Sequence, residues 1–346
     1  MRHFKFPDIA QFRQAIRGVQ NKARFAGLDE NGDPTYDGLK PLPTIKYRGT
    51  VKLHGTNSAI CKNLQTGEIT LQSRSRVITI EDDNHGFAQF VSGVDVNSVF
   101  DLVDTSGEAR ETEDEGQKDC VVIFGEWCGG NIQKGVALSQ LEKMFVIFAI
   151  KCKGVWLHDD ELKNVKCVDS KVYNVLDYPH YSMEIDFQNP ELFQNKLGDI
   201  TLEVEKECPV GKGFDVEGIG EGVVWVPVDP EWNSSKFWFK VKGEKHSVTK
   251  VKKLAAVDIE KVKTVNEFID KVVTDNRLLQ GVEFVKSEKK VSEVSREHIG
   301  DFIRWIYNDV IKEETDTIEA SGLEAKELGG PIAKRTKEWM FKELGV

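Results

Sequence analysis

The chain has 346 residues, is 40% hydrophobic and 30% charged, and carries a formal net charge of −10. That length suits one large domain and a smaller one, and the composition excludes a disordered or low-complexity chain. No stretch approaches the roughly 20 consecutive apolar residues of a membrane span, and six cysteines without a C-x-x-C pair indicate neither a zinc site nor a disulfide framework.

Reduced structural thiols, a cytoplasmic location, no membrane partner and a monomeric state are therefore expected. The acidic total weighs against a polyanionic partner only if the charge is evenly spread, since phosphate binding rests on local lysine and arginine. It is not evenly spread. Residues 101–119 hold eight acids against Arg110 and Lys118 and read as a solvated loop. Residues 236–253 hold seven lysines against Glu244 alone, a local basic surface compatible with nucleic acid.

In chain order, Ile9, Phe12, Ile16 and Val19 have helical spacing, with Asp8 as a candidate cap. From about residue 44 to 245, short β-type runs follow one another between turn signals: TIKYRGTVKL, SAICKNL, EITLQSR, VVIFGEW, MFVIFAIKC, GVVWVPV and KFWFKVKG. The second and third read as a hairpin across Gln65-Thr66-Gly67. Such runs without regular intervening helices predict an α+β domain of antiparallel sheets with flanking helices.

After about residue 255 the period becomes helical. Val265, Phe268, Ile269, Val272 and Val273 follow a Thr264/Glu267 capping signal, a second helix carries Phe302, Ile303, Ile306, Val310 and Ile311, and a third starts near Pro331 and runs to Leu344. The expected domains are residues 1–248 and a small all-helical domain at 249–346.

Lys-x-x-Gly occurs six times, from Lys46, Lys52, Lys151, Lys240, Lys326 and Lys342, so that pattern alone selects nothing. Only Lys52, in KLHGTN, is followed in order by Ser73-Arg74-Ser75-Arg76, FGEW at 124–127, FVIF at 145–148, EGVV at 221–224 and Lys240-Val241-Lys242. This ordered set resembles the motifs of covalent nucleotidyltransferases: DNA ligases, RNA ligases and capping enzymes. KLHGTN and FGEWCGGNIQKGV resemble most the RNA ligase 2 family of phages and RNA-editing ligases, and the helical tail agrees in type.

The resemblance implies an adenylyltransferase domain in which Lys52 carries AMP, and an ATP-dependent RNA ligase acting on 5′-phosphate and 3′-hydroxyl ends, most naturally at nicks in duplex RNA. Magnesium or manganese is the implied metal, at Glu221 and Glu126. Glu126 would also meet the ribose hydroxyls and Phe148 would stack on adenine, with core packing of Phe148, or Phe145 in its place, as the alternative. Arg74 would contact ribose or the RNA 5′-phosphate, while His54 and Asn57 would orient nucleotide or RNA end. Arg76 is not expected from the family pattern. Val51 replaces the glutamate common just before the lysine.

A lysine with pKa near 10.4 is only about 0.1% neutral at pH 7.4, a handicap of roughly 4 kcal/mol. Lys240 and Lys242, two apart and hence on one face of a strand, together with magnesium, are expected to lower it and to neutralise charge on the α-phosphate. A solvated lysine face on an edge strand is the other reading of that pair. DNA ligases and capping enzymes normally follow it with an oligonucleotide-binding barrel, and the helical period after 255 points away from both. A non-catalytic nucleic-acid-binding relative would not need this nucleophile and its partners in place.

Overall fold

The computed structural model describes residues 3–107, 117–246 and 264–345. The middle of the acidic segment, the end of the lysine-rich stretch and the expected boundary at 248/249 lie outside the described residues. The chain divides into two compact units, Met1–Ala10 with Gly18–Asn189 and Asn195–Gly243, and Gln11–Arg17 with Pro190–Gln194 and Glu244–Val346.

The described strands are β1 (Ala10–Gln11), β2 (Phe25–Leu28), β3 (Pro34–Tyr36), β4 (Thr44–Val51), β5 (Thr56–Asn63), β6 (Ile69–Ser73), β7 (Val77–Ile78), β8 (Cys120–Cys128), β9 (Met144–Cys152), β10 (Val155–Trp156), β11 (Val172–Asn174), β12 (Tyr181–Asp186), β13 (Gly222–Pro227) and β14 (Phe239–Lys242). The described helices are α1 (Phe12–Arg24), α2 (Phe87–Val91), α3 (Val96–Phe100), α4 (Asp159–Leu162), α5 (Gln194–Lys206), α6 (Pro209–Lys212), α7 (Val265–Val272), α8 (Asp275–Lys289), α9 (Ile299–Ala320) and α10 (Ala325–Leu344).

Of the two main sheets, one has the order β1-β14-β13-β4-β12 and the other runs β10-β9-β8-β5-β6-β7 with β11 added beside β9, while β2 and β3 pair separately. Apart from β1–β14, the pairings are antiparallel as expected, except that β11 runs parallel to β9. In β4 the alternation is direct: Ile45, Tyr47 and Val51 are buried on one side, Tyr47 against Phe187 and Phe239. Arg48, Thr50 and the following Lys52 fall on the opposite side. Gly49 lets the Trp225 ring cross the strand, since a Cβ there would sit 2.8 Å from it.

The larger sheet is apolar on both faces. Ile60, Ile123, Trp127, Phe145 and Ile147 pack with Phe87 and Phe100 of α2 and α3, whereas Ala59, Cys61, Val122, Phe124 and Ala149 pack with Phe4, Trp156 and Trp238. The expected hairpin is β5–β6. Asn63 Oδ1 accepts from the backbone N–H groups of Gln65 and Thr66, and Gly67 turns the chain at φ +72°.

Several sequence expectations are corrected. Helix α1 begins at Phe12 and buries Phe12, Ile16 and Val19, but Asp8 does not cap it; its carboxylate pairs with Arg74 and Lys5. A regular helix, α5, stands within the β-rich region. In the second unit α10 starts at Ala325 and runs through Pro331 rather than starting there, because Glu324 and Glu327 form a reciprocal cap upstream. Helix α8 was not foreseen; α7 was, with Thr264 Oγ1 accepting from Glu267 N. All six cysteines are free and all but Cys167 are buried.

Candidate active site

Lys52 follows the last residue of β4, and its backbone N–H donates to the Gly222 carbonyl at 2.8 Å, which fixes it beside the start of β13. Glu221 immediately precedes β13, and Gly222 pairs with Lys242 across β13–β14. Gly222 has φ +153°, and a Cβ there would lie 2.2 Å from the Val241 carbonyl oxygen. Only glycine permits this close strand approach.

Those constraints bring three nitrogens onto one carboxylate. Glu221 is 2% exposed; Lys52 Nζ donates to its Oε2 at 2.8 Å, His54 Nδ1 lies 2.9 Å from the same oxygen, and Lys242 Nζ lies 3.0 Å from Oε1. Burial acts against the Glu221 anion, but Lys52, Lys242 and His54 outweigh it and hold its pKa well below the usual carboxylate range. Glu126, on β8, accepts from the Gly55 N–H through Oε1 at 2.9 Å and faces Asn57 across the β5–β8 register. Burial pushes its carboxyl up to about 7, with the Lys52 ammonium pulling the other way.

The protein side chains by themselves do not depress the Lys52 pKa. Burial disfavours its ammonium form, yet the charges of Glu221 and Glu126 prevail and hold the pKa above the ordinary lysine value. It is Lys242 that is lowered, by burial first, with Lys52 and Lys240 adding like-charge repulsion. Lys240 stands opposite Val224 in the β13–β14 register. The reason is geometric: Glu221 stands against the Lys52 amine, and Lys242 answers to the same carboxylate.

Phe148 is the extra residue of a β-bulge, because the β8–β9 register shifts between Phe124 and Gly125. It is half-buried, edge-on to Phe6 at 5.0 Å, and belongs with the cluster on the face of Phe124 and, by alternation, of Glu126. Phe145 is fully buried on the other face, against Phe87. Arg74 is paired with Asp8 at 2.8 Å, and its charge is felt at both Lys52 and Glu126. Arg76 pairs with Asp82 instead.

The N-terminal segment has a part that sequence reasoning missed. Phe4 exchanges backbone hydrogen bonds with the Gln72 amide, His3 Nε2 meets the Ser73 carbonyl, and Phe6 contacts Phe124, Phe148, Trp156 and Trp238. No local periodicity signals contacts some 70 residues apart.

Among the described residues no group of three His, Cys, Asp or Glu is placed to hold a metal ion. Glu221 and Glu126 remain, two carboxylates near one lysine. That donor set fits a magnesium-like ion, which keeps several waters and takes one or two carboxylates together with phosphate oxygens.

A buried carboxylate beside a lysine that closes one strand, and a lysine pair on the neighbouring hairpin, define a lysine-centred site between β4, β13 and β14. A family model described as RNA ligase matches residues 45–242, more than half of the chain and the whole of this site. The chain belongs to the RNA ligase family. It is also similar to solved structures of the Naegleria gruberi RNA ligase. A lysine-to-alanine mutant with ATP and Mn is 14% identical at TM-score 0.43, with 71% of this chain and 58% of that chain covered. The same ligase with PPi is 15% identical at TM-score 0.40, with 70% and 56% covered. The chain thus spans little more than half the length of those proteins. No curated protein matches it.

Proposed function

We propose that the chain is an ATP-dependent RNA ligase working through AMP carried covalently on Lys52. The observation that carries this reading is the single carboxylate of Glu221 joined to Lys52, His54 and Lys242, because a solvated surface lysine would need no such setting.

In the first step the Lys52 amine, having lost its proton, attacks the α-phosphorus of ATP; a P–N bond forms and a P–O bond breaks to release pyrophosphate. An oxygen of the RNA 5′-phosphate then attacks that phosphorus and the P–N bond breaks, leaving AMP on the RNA end. Finally the adjacent 3′-hydroxyl attacks the RNA phosphorus, loses its proton and displaces AMP. Lys242, with Lys240 beside it, opposes the negative charge that gathers on the phosphate oxygens. Glu126 accepts from the ribose hydroxyls, Phe148 offers a flat face to the base, and Arg74 exchanges Asp8 for a phosphate. Magnesium or manganese held at Glu221 and Glu126 would supply positive charge that offsets their pull on the Lys52 proton.

The RNA reading extends to nicked duplexes, where the 2′-hydroxyl at the 3′-hydroxyl end distinguishes RNA from DNA. A monomer repairing RNA in the cytoplasm is the setting proposed. Incubation with α-labelled ATP and magnesium should transfer label to the protein and not to Lys52→Ala. Label on the Lys52→Ala protein, or none on the wild type, defeats the reading. Equal sealing of nicked DNA and nicked RNA defeats its RNA half.

A further inference from the structure

The steps above leave a cleft beside Phe148 unexplained. Arg48, Phe148, Asp159, Val226 and Trp238 line it, and it is open to solvent. Arg48 faces the same side of β4 as Thr50 and Lys52, and stands opposite Val226 in the β4–β13 register. It lies four positions before Lys52, about 13 Å of strand. A nucleoside monophosphate bonded through phosphorus to Lys52 covers that span.

Two residues that line the cleft carry buried donors without acceptors. Arg48 is 6% exposed and pairs through Nη1 with Asp159, but its Nε has no hydrogen-bond partner among the described residues. Trp238 is 4% exposed, and its Nε1 is equally without one among the described residues. Buried N–H groups are rarely left so, and an acceptor placed in the cleft removes the cost.

We propose that Arg48 and Asp159 read the base edge of the bound nucleotide and select adenine. This rests on the reading of Lys52 as the AMP carrier and Phe148 as the stacking face. Adenine presents an acceptor nitrogen, N7, beside a donor, the N6 amino group. Arg48 Nε supplies the donor for the first and the Asp159 carboxylate the acceptor for the second. Guanine presents N7 and O6, both acceptors, so its O6 meets the carboxylate and the match is lost. Val51 puts no polar side chain next to Lys52, which leaves this edge to the pair from β4 and α4. A water molecule in the cleft would satisfy the same donors without choosing a base.

The test is equilibrium binding of α-labelled ATP and GTP to the full chain, measured apart from label transfer to Lys52. It compares wild type, Asp159→Asn, and the double variant Arg48→Met/Asp159→Asn, which leaves no buried charge unpaired. The ratio of the two dissociation constants is independent of the fraction folded. Wild type should prefer ATP by about tenfold or more, and Asp159→Asn, whose amide can donate to O6, should reduce that preference about fivefold or more. The double variant should abolish it. Absence of an ATP preference in wild type, or an unchanged preference in both variants, overturns the inference even where Lys52 takes label. A preference lost in the variants, with no label on wild-type Lys52, sustains the base-reading pair and sinks the ligase reading.

Discussion

Glu221 holds three side chains at once, and its neighbour across the site, Glu126, lives under a different constraint. Burial raises the Glu126 carboxyl from 4.5 to about 7, so between those values the folded protein keeps a proton that the unfolded chain releases. The stability this group contributes is therefore present below pH 4.5 and is lost as pH rises through 7, by up to about 3 kcal/mol. Glu126→Gln should remove that slope: in urea unfolding it should resemble wild type near pH 5 and exceed it near pH 8. Parallel pH profiles for the two proteins would show that Glu126 is not the group responsible. The same substitution is expected to weaken nucleotide binding, since a carboxylate accepts from ribose hydroxyls better than an amide does.

At the scale of elements, alternation and turn chemistry were enough to find β4, β5, β6, β8, β9, β13 and β14, and with them every strand that carries Lys52's partners. Their motif order also picked Lys52 from six lysines of equal local pattern. What stayed hidden was set by distance in sequence. Asp8 reads as a helix cap until Arg74 is brought beside it, and Phe6 gives no sign that it backs Phe148. The part that Glu221 and Glu126 play in the Lys52 pKa stayed hidden because charge counts do not say which carboxylate lies nearest. Helix α8 was missed although Leu278, Val282 and Val285 share a face, because its buried Arg277 and Gly281 break the apolar pattern. Phe6→Ala should leave a hole among Phe124, Phe148, Trp156 and Trp238, lower stability by about 3 kcal/mol in urea unfolding, and weaken ATP binding through a loosened Phe148. Unchanged ATP affinity would separate the N-terminal segment from the nucleotide site.

For the whole molecule, each candidate site residue falls in the unit built on the two sheets. The helical unit has its own core, from Phe268 through Phe302 to Met340, and an internal ion network in which Glu314 meets Arg277 and Arg13. Ending the chain at residue 246 should therefore leave Lys52 able to accept label from ATP while lowering the sealing of nicked RNA, in gel assays of both steps. Equal sealing by the shortened protein would remove the helical unit from RNA handling. The net charge of −10 says little about the candidate site, where Lys52 and Lys242 are gathered on one carboxylate. Five of the six thiols are shut inside the fold, and the sixth, Cys167, is half-exposed just before β11 with its Sγ near Ser170. That arrangement makes the native chain a host for a single dye: a maleimide fluorophore should attach once, at Cys167, without any cysteine having to be engineered in or out, and a second label detected by mass spectrometry would show that one of the buried thiols opens.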